Sequence, residues 1–307
     1  MKLSALVSSI PDSLQIVLAD IGSAGGLHRR WSALRNHVTA ILFDPLDQST
    51  GSDRDRYFPV AIAGSKGQAL LHVTRRISMS STLLPNKALL GRFWDKPGHT
   101  TIVKTLEVPT DTLDNVMQSN GIALDAIKVD VQGGEYEILA GARAAFANSL
   151  FLAEVEVSFF ERYAGLRTFG DVVALMRESN FDLIDVGRLK RYRYRNSFGI
   201  VNPSLGMGDW AGRLAFCDAL FMLNDDALLE RVAGDNPFGG HELALKAILA
   251  ALAYGKADLA AWIFDASAAR LNPAVRENLS KYLRGRRSDR FERFGLHRQL
   301  DRWARRL

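Results

Sequence analysis

Residues Ile127 to Ala142 read IKVDVQGGEYEILAGA, and this stretch decides the fold. It opens as an apolar run of the kind that forms a buried strand, breaks at Gly133-Gly134, and resumes with helical periodicity. Lys128 and Asp130 interrupt the apolar run. Buried charge is costly unless paired, so a strand end carrying Lys128, Asp130 and Gln132 points to a site. Side chains two apart on a strand share a face, so Lys128 and Asp130 point the same way.

The same alternation runs through the first two-thirds of the chain. Strands are expected at QIVLADIG (15–22), TAILFDP (39–45), YFPVAIAG, QALLHVT, TIVKTLEVP, 124–131, LFLAEVEVS, FDLIDVGRL and LAFCDALFML. Helices are expected at LHRRWSALRNH, at TDTLDNVMQSNG with Thr110 or Asp111 near its N-cap, at 135–147, and at FGDVVALMRESN. Residues 75–100 read as a polar, irregular loop. Buried strands alternating with helices imply an α/β fold with a mostly parallel, doubly wound sheet, whose ligands bind beyond the carboxyl ends of the strands. From 225 to 307 the chain is rich in Ala and Leu and reads as an α-helical C-terminal extension, with a helical hairpin expected around Tyr254-Gly255. It can fold back on the sheet, pair with a second subunit as a homodimer, or stand apart. The expected domains are therefore 1–224 and 225–307.

Composition narrows the class. With 47% apolar and 24% charged residues, the 307-residue chain is an ordinary globular protein with a substantial core. A single cysteine, Cys217, excludes an internal disulfide and reads as a buried, inert thiol. No apolar run reaches the length of a membrane span, and the N-terminus lacks a signal peptide's pattern, so a cytoplasmic location is expected. The net charge of +5 belongs to residues 281–307, which carry +7 against −2 for the rest. This basic, amphipathic tail docks on its own protein or, as a second reading, meets a membrane surface. GRLKRYRYRNSF (187–198) interleaves arginines with tyrosines and reads as a solvated loop or hairpin edge.

The first strand ends LADIGSAGG, in which Gly22, Gly25 and Gly26 permit tight turns and close approach to a ligand. Asp20 before the glycines suits a cationic amino group better than a pyrophosphate. The second strand closes on FDP, where Asp44 can accept ribose hydroxyls or cap the turn before Pro45. Asp20, the loop with Ser23, Gly25 and Gly26, and Asp44-Pro45 together describe a pocket for an amino-acid end and a ribose. S-adenosyl-L-methionine has both.

DIGSAGG, FDP, PTDTLDNV, IKVDVQGGEYEILAGA, FLAEVEVSFFERYAG and the closing CDALFM together resemble the FkbM family of S-adenosylmethionine-dependent methyltransferases over residues 15–223. The resemblance implies a Rossmann-like class I methyltransferase fold and methyl transfer to a hydroxyl, commonly on a sugar. It also implies that Asp20, Gly22 and Gly26 hold the methionine part and Asp44 the ribose. Asp130, Glu135 and Glu154 fall where the family keeps acidic site residues. Two departures stand out: Gln132 and Asp44 occupy positions where the family usually has Glu. Gln132 removes a charge beside Asp130 and disfavours a tightly held metal, so no metal is expected.

An alcohol attacking a sulfonium methyl needs its proton accepted and its oxygen placed in line. Asp130 leads as the base, followed by Glu154 and Glu156; Lys128 can pair with Asp130 or Glu154, or bind the acceptor. Each has a plainer alternative: Glu135 as helix N-terminal charge, Lys128 as a structural ion pair, Asp111 and Asp114 as caps. His28, His72 and His99 lack metal-ligand spacing, with His99 held as a reserve base. The expected reaction is O-methylation of a sugar or glycan acceptor in a surface polysaccharide or glycosylated metabolite. The rivals are a nucleic-acid methyltransferase, disfavoured by the slightly acidic body, and a non-catalytic module that keeps the fold, supported by Gln132.

Overall fold

A computed structural model describes residues 3–22, 26–46, 54–200, 211–234 and 240–285. In chain order the first elements are α1 (Leu3–Val7), β1 (Ile16–Ile21), a 3-10 segment (Arg29–His37), β2 (Val38–Phe43), β3 (Asp55–Phe58), β4 (Ala61–Ile62) and β5 (Gly67–Thr74). Then come α2 (Lys87–Leu90), α3 (Lys96–His99), β6 (Ile102–Asp111), α4 (Leu113–Asn120), β7 (Ala126–Val129), α5 (Glu135–Ala140), α6 (Arg143–Asn148) and β8 (Leu152–Ser158). The last are α7 (Phe169–Glu178), β9 (Phe181–Tyr192), β10 (Arg213–Leu223), α8 (Asp225–Ala233), α9 (Gly240–Ala253), α10 (Ala257–Ser267) and α11 (Pro273–Arg284).

Seven strands form one sheet in the order β3-β2-β1-β7-β8-β10-β9. Neighbours from β3 through β8 run parallel, and β10 lies antiparallel to both β8 and β9. This is the expected Rossmann-like class I methyltransferase fold. Every residue of β8 is buried, as a parallel strand covered on both faces must be. A second sheet, β4-β6-β5, was not distinguished in the sequence; Pro59 breaks YFPVAIAG into β3 and β4, because proline cannot donate to a ladder.

Local chemistry sets the element ends. Thr112, rather than Thr110 or Asp111, caps α4 by accepting from the Asn115 amide, and Gly121 ends the helix at φ 62°. Thr110 and Asp111 belong to β6 instead. A Thr168–Asp171 capping box starts α7. The single helix expected over 135–147 is two helices, divided at Gly141. There Asp114 accepts from the amides of Ala144 and Ala145 and so caps α6 rather than its own helix. The segment after β1 is 3-10 rather than α-helical.

Residues 75–100, expected as an irregular loop, hold the short helices α2 and α3 and are packed on the sheet unit. Leu90 and Phe93 join Phe160, Tyr192 and Ala215 in an apolar cluster, and Phe93 stacks on Phe160 at 5.5 Å. Backbone hydrogen bonds tie Asn86 to Arg162, Leu84 to Ala164 and Trp94 to Arg193. The basic-aromatic stretch is mostly exposed and its first part is the edge strand β9, as expected, but Tyr192 is buried and Tyr194 packs on Phe93 at 4.9 Å. Aromatic burial outweighs local polarity here.

The chain divides into two compact units. All strands fall in residues 15–29 and 38–230; the other unit falls within 1–14, 30–37 and 231–307. The helical unit thus takes in two N-terminal pieces that a boundary at 224/225 would have left with the sheet. Trp31 meets Tyr254 edge-on at 5.8 Å and the Arg30 guanidinium lies 4.4 Å from the same ring, which ties the 3-10 segment to the helices. Within this unit α9 and α10 form the expected hairpin through Gly255 at φ 74°. Among the described residues no helix is long and apolar enough to cross a membrane, and the basic segment 286–307 lies outside them.

Replacing Phe93 with Ala removes the ring on which the cluster over residues 75–100 is built. Urea unfolding of Phe93→Ala should show a loss of about 3–5 kcal/mol.

Candidate functional site

Strand register brings the polar residues of the opening motif into line. Asp20 of β1 stands opposite Lys128 of β7, and Lys128 opposite Glu154 of β8. One step further along, Glu156 of β8 faces Asp218 of β10. All share one sheet face near the carboxyl edge, where ligands of such sheets bind.

Lys128 Nζ donates to Asp20 Oδ1 at 3.0 Å, so its partner is Asp20, rather than the expected Asp130 or Glu154. The strand pairing explains the choice: β1 and β7 are hydrogen-bonded neighbours and the two residues are in register. Burial would lower the Lys128 ammonium, yet the charges of Asp20, Asp130 and Glu154 together hold it above its ordinary value. Burial raises the Asp20 carboxyl despite Lys128, since Asp130 and Glu154 add like charge. The lysine therefore stays cationic, bonded to Asp20 and held in the field of Asp130 and Glu154.

The turn after β7 is built by its own side chains. Gln132 takes a left-handed backbone at φ 63° and directs its amide inward. Its Nε2 donates at 2.8 Å to both Asp130 Oδ1 and Glu156 Oε1. Its Oε1 accepts longer contacts of 3.5 Å from Arg162 Nη1 and the Tyr163 hydroxyl. The amide thus joins two carboxylates to two donors, a task a third carboxylate would perform only with a proton. Glu135 folds back and accepts from the Val131 and Gly133 amides at 3.2 and 2.9 Å, making it a clamp for this turn. Burial pushes Glu135 up to about 7.

Arg162, which the sequence reading passed over, is 1% exposed and fully engaged. Its Nε donates to Ser158 Oγ at 2.9 Å, its Nη2 to Glu156 Oε1 at 2.9 Å, and its Nη1 to the Tyr192 hydroxyl at 3.3 Å. Burial and the Asp130 charge push Glu156 up to about 7 against the pull of Arg162. Asp218 was also missed; burial drives it to about 6 while Arg188 opposes. A lone acid in an apolar strand, as in AFCDALFM, was the available signal. Burial pushes the Cys217 thiol to about 12, in keeping with an inert role.

Gly22 sits at the same edge. Gly22 adopts φ 85°, and a Cβ there would stand 2.1 Å from the Asp130 carbonyl oxygen, so only glycine lets the ends of β1 and β7 close. Asp130 N donates to Ile21 O and Gly22 N to Phe43 O, each at 3.0 Å, which brings the first glycine beside the FDP turn. Asp44 Oδ1 accepts from the Leu46 amide at 2.8 Å and so caps the turn past Pro45. Gly26, at φ 81°, has no atom of the described residues within 4 Å of where a Cβ would stand. Ser23 and Gly25 lie outside the described residues. Among the described residues no group of His, Cys, Asp and Glu has an arrangement able to hold a metal ion.

Carboxylates outnumber cations at this edge: Asp20, Asp130, Glu135, Glu154, Glu156 and Asp218 face Lys128, Arg162 and Arg188. A cluster of this charge favours a cationic group.

Two consequences can be measured. Gly22→Ala should cost at least about 2 kcal/mol in chemical denaturation, since both its φ and the Asp130 carbonyl oppose a side chain. Because Glu135 moves from 4.5 to about 7 on folding, the native chain keeps a proton that the unfolded chain has lost in that interval. That stabilisation is complete below 4.5 and is lost as pH rises through about 7. Glu135→Gln should remove this part of the decline, on the order of 2 kcal/mol, when unfolding is compared at about pH 5 and about pH 8.

The sequence matches the Methyltransferase FkbM domain family over residues 27–183, just over half of the chain. No curated protein matches it. Among solved structures it resembles a methyltransferase FkbM from Methylobacillus flagellatus KT, with 11% identity and a TM-score of 0.33, over 69% of this chain and 44% of that one. The chain therefore spans less than half the length of that relative. It also resembles a Burkholderia thailandensis 1,6-didemethyltoxoflavin-N1-methyltransferase with bound S-adenosylhomocysteine (12% identity, TM-score 0.32, 73% and 77% covered). A magnesium protoporphyrin IX methyltransferase from Synechocystis PCC 6803 with bound SAM is a third (7%, 0.32, 72% and 76%). These structural likenesses are too distant to bear on substrate. The family match spans β2 through α7, the stretch holding Asp130, Gln132, Glu156 and Arg162, and the chain belongs to the FkbM methyltransferase domain family, whose methyl donor is S-adenosylmethionine.

Proposed function

We propose that the protein is an S-adenosylmethionine-dependent O-methyltransferase acting on a hydroxyl of a sugar, in a surface polysaccharide or a glycosylated metabolite. The observation that carries this reading is the state of Asp130. It stands just past β7 with its side chain 23% exposed, one oxygen held by Gln132 and the other 3.8 Å from Arg188. A carboxylate fixed in orientation yet open on one side is suited to accept a hydroxyl proton.

S-adenosylmethionine supplies an activated methyl group on sulfur. Asp20 and the Gly22–Gly26 loop would hold its amino-acid end, and the Asp44-Pro45 turn its ribose. Asp130 takes the acceptor's proton as the methyl group moves. Lys128 positions Asp20, Glu135 holds the turn that presents Asp130, and Glu154 completes the charged row beside Lys128. Transfer from a sulfonium is driven mainly by placing oxygen, carbon and sulfur in line, so rigidity in this row serves the reaction directly. The basic C-terminal segment would bring a cytoplasmic enzyme to lipid-linked glycans at a membrane surface.

Asp130→Asn should lower methyl transfer by about 10²–10⁴-fold while calorimetry shows donor affinity retained. Mass spectrometry of polysaccharide and small metabolites from cells with and without the protein should show one CH2 increment that depends on it. If neither pool differs by a methyl group, the acceptor assignment is wrong even where the donor binds.

A further inference from the structure

Arg188 differs from the other cations at the site. It lies in the edge strand β9 with a left-handed backbone, φ 48°, which a long side chain rarely adopts. The β9–β10 register slips there: Gly187 faces Asp218 and Lys190 faces Phe216, so Arg188 and Leu189 together stand opposite Cys217. Such a bulge re-aims a side chain, and bulges recur beside active sites. Here it turns the guanidinium towards the acids. Nη1 lies 3.8 Å from Asp130 Oδ2 and 3.7 Å from Asp218 Oδ1. Both distances are within ion-pair range and beyond hydrogen-bond range.

The contrast with Arg162 is informative. Arg162 is buried and spends its nitrogens on Ser158, Tyr192, Gln132 and Glu156. The Arg188 side chain is 53% exposed, held in place by two charges with its hydrogen-bond fork unspent on either. A planar guanidinium in that condition is matched to the two oxygens of a carboxylate or phosphate. Lys190 on the same strand and Arg195 beyond it are exposed and add positive potential along this edge.

We propose that Arg188 recognises an oxyanion on the acceptor, a carboxylate or phosphate borne by the sugar, and so sets its hydroxyl beside Asp130. The inference rests on the proposed function in taking Asp130 as the base and a sugar as the acceptor. An oxyanion that engages the fork draws the guanidinium off Asp130, leaving that carboxylate for the hydroxyl. The acidic row then receives a cationic donor and the bulged edge an anionic acceptor.

The test is calorimetric titration of the full chain, saturated with S-adenosylhomocysteine, using glucuronate, glucose 1-phosphate and neutral glucose. At least one anion should bind about tenfold tighter than glucose; which one does so separates carboxylate from phosphate as the source. Arg188→Gln should abolish the preference and Arg188→Lys restore part of it, with S-adenosylhomocysteine affinity within about twofold in both. Arg188→Lys, which keeps the charge and loses the fork, supplies the comparison if the Gln variant fails to fold. The inference is overturned if no anion is preferred, if the preference survives in Arg188→Gln, or if it is undiminished in Arg188→Lys. Failure to bind S-adenosylhomocysteine would instead count against the methyltransferase reading, and the same anion titrations on the chain alone would still decide the role of Arg188.

Discussion

Charge buried on one face of a parallel sheet must be neutralised in place, and that requirement organises this molecule. Neighbouring parallel strands leave no water to solvate Asp20 or Glu156, which are 2% and 3% exposed. Each therefore has a cation at contact distance, Lys128 at 3.0 Å and Arg162 at 2.9 Å. The first pair comes from strand register alone. The second needs the chain to turn back after β8, so that Arg162 meets Ser158, Tyr192 and Gln132 along with its acid. Removing one partner of either pair leaves a buried charge unsatisfied, which is far more damaging than never having had the pair.

Rigidity at the site follows from the same economy of polar groups. Gln132 uses both ends of its amide, Glu135 is occupied by backbone amides, and Tyr163 reaches the Met79 carbonyl at 3.0 Å. Residues 75–100 are thereby tied to Tyr163 and share an aromatic core with Tyr192 of β9. What remains loosely held is Arg188 and the open side of Asp130.

Gln132 is read differently once its neighbours are known. In the sequence it is a charge lost beside Asp130; in the structure it is a neutral bridge between Asp130 and Glu156. A third carboxylate between those two would add repulsion to a cluster that already drives Glu156 up to about 7.

The sequence by itself determined the order of buried strands, the glycine turn after Asp20, the break at Gly133-Gly134 and the placing of Lys128 and Asp130 on one face. These rest on period and on backbone chemistry, which act between residues close in the chain. It also carried the family, through motifs spread over the sheet. Only the tertiary structure decided that Lys128 pairs with Asp20, that Arg162 neutralises Glu156, that Asp218 joins the cluster, and that residues 30–37 group with the C-terminal helices. Each is a contact between elements distant in sequence. Period fixes which face a side chain takes, but its partner is fixed by strand order, by a bulge such as that at Arg188, and by which aromatic rings find a common core.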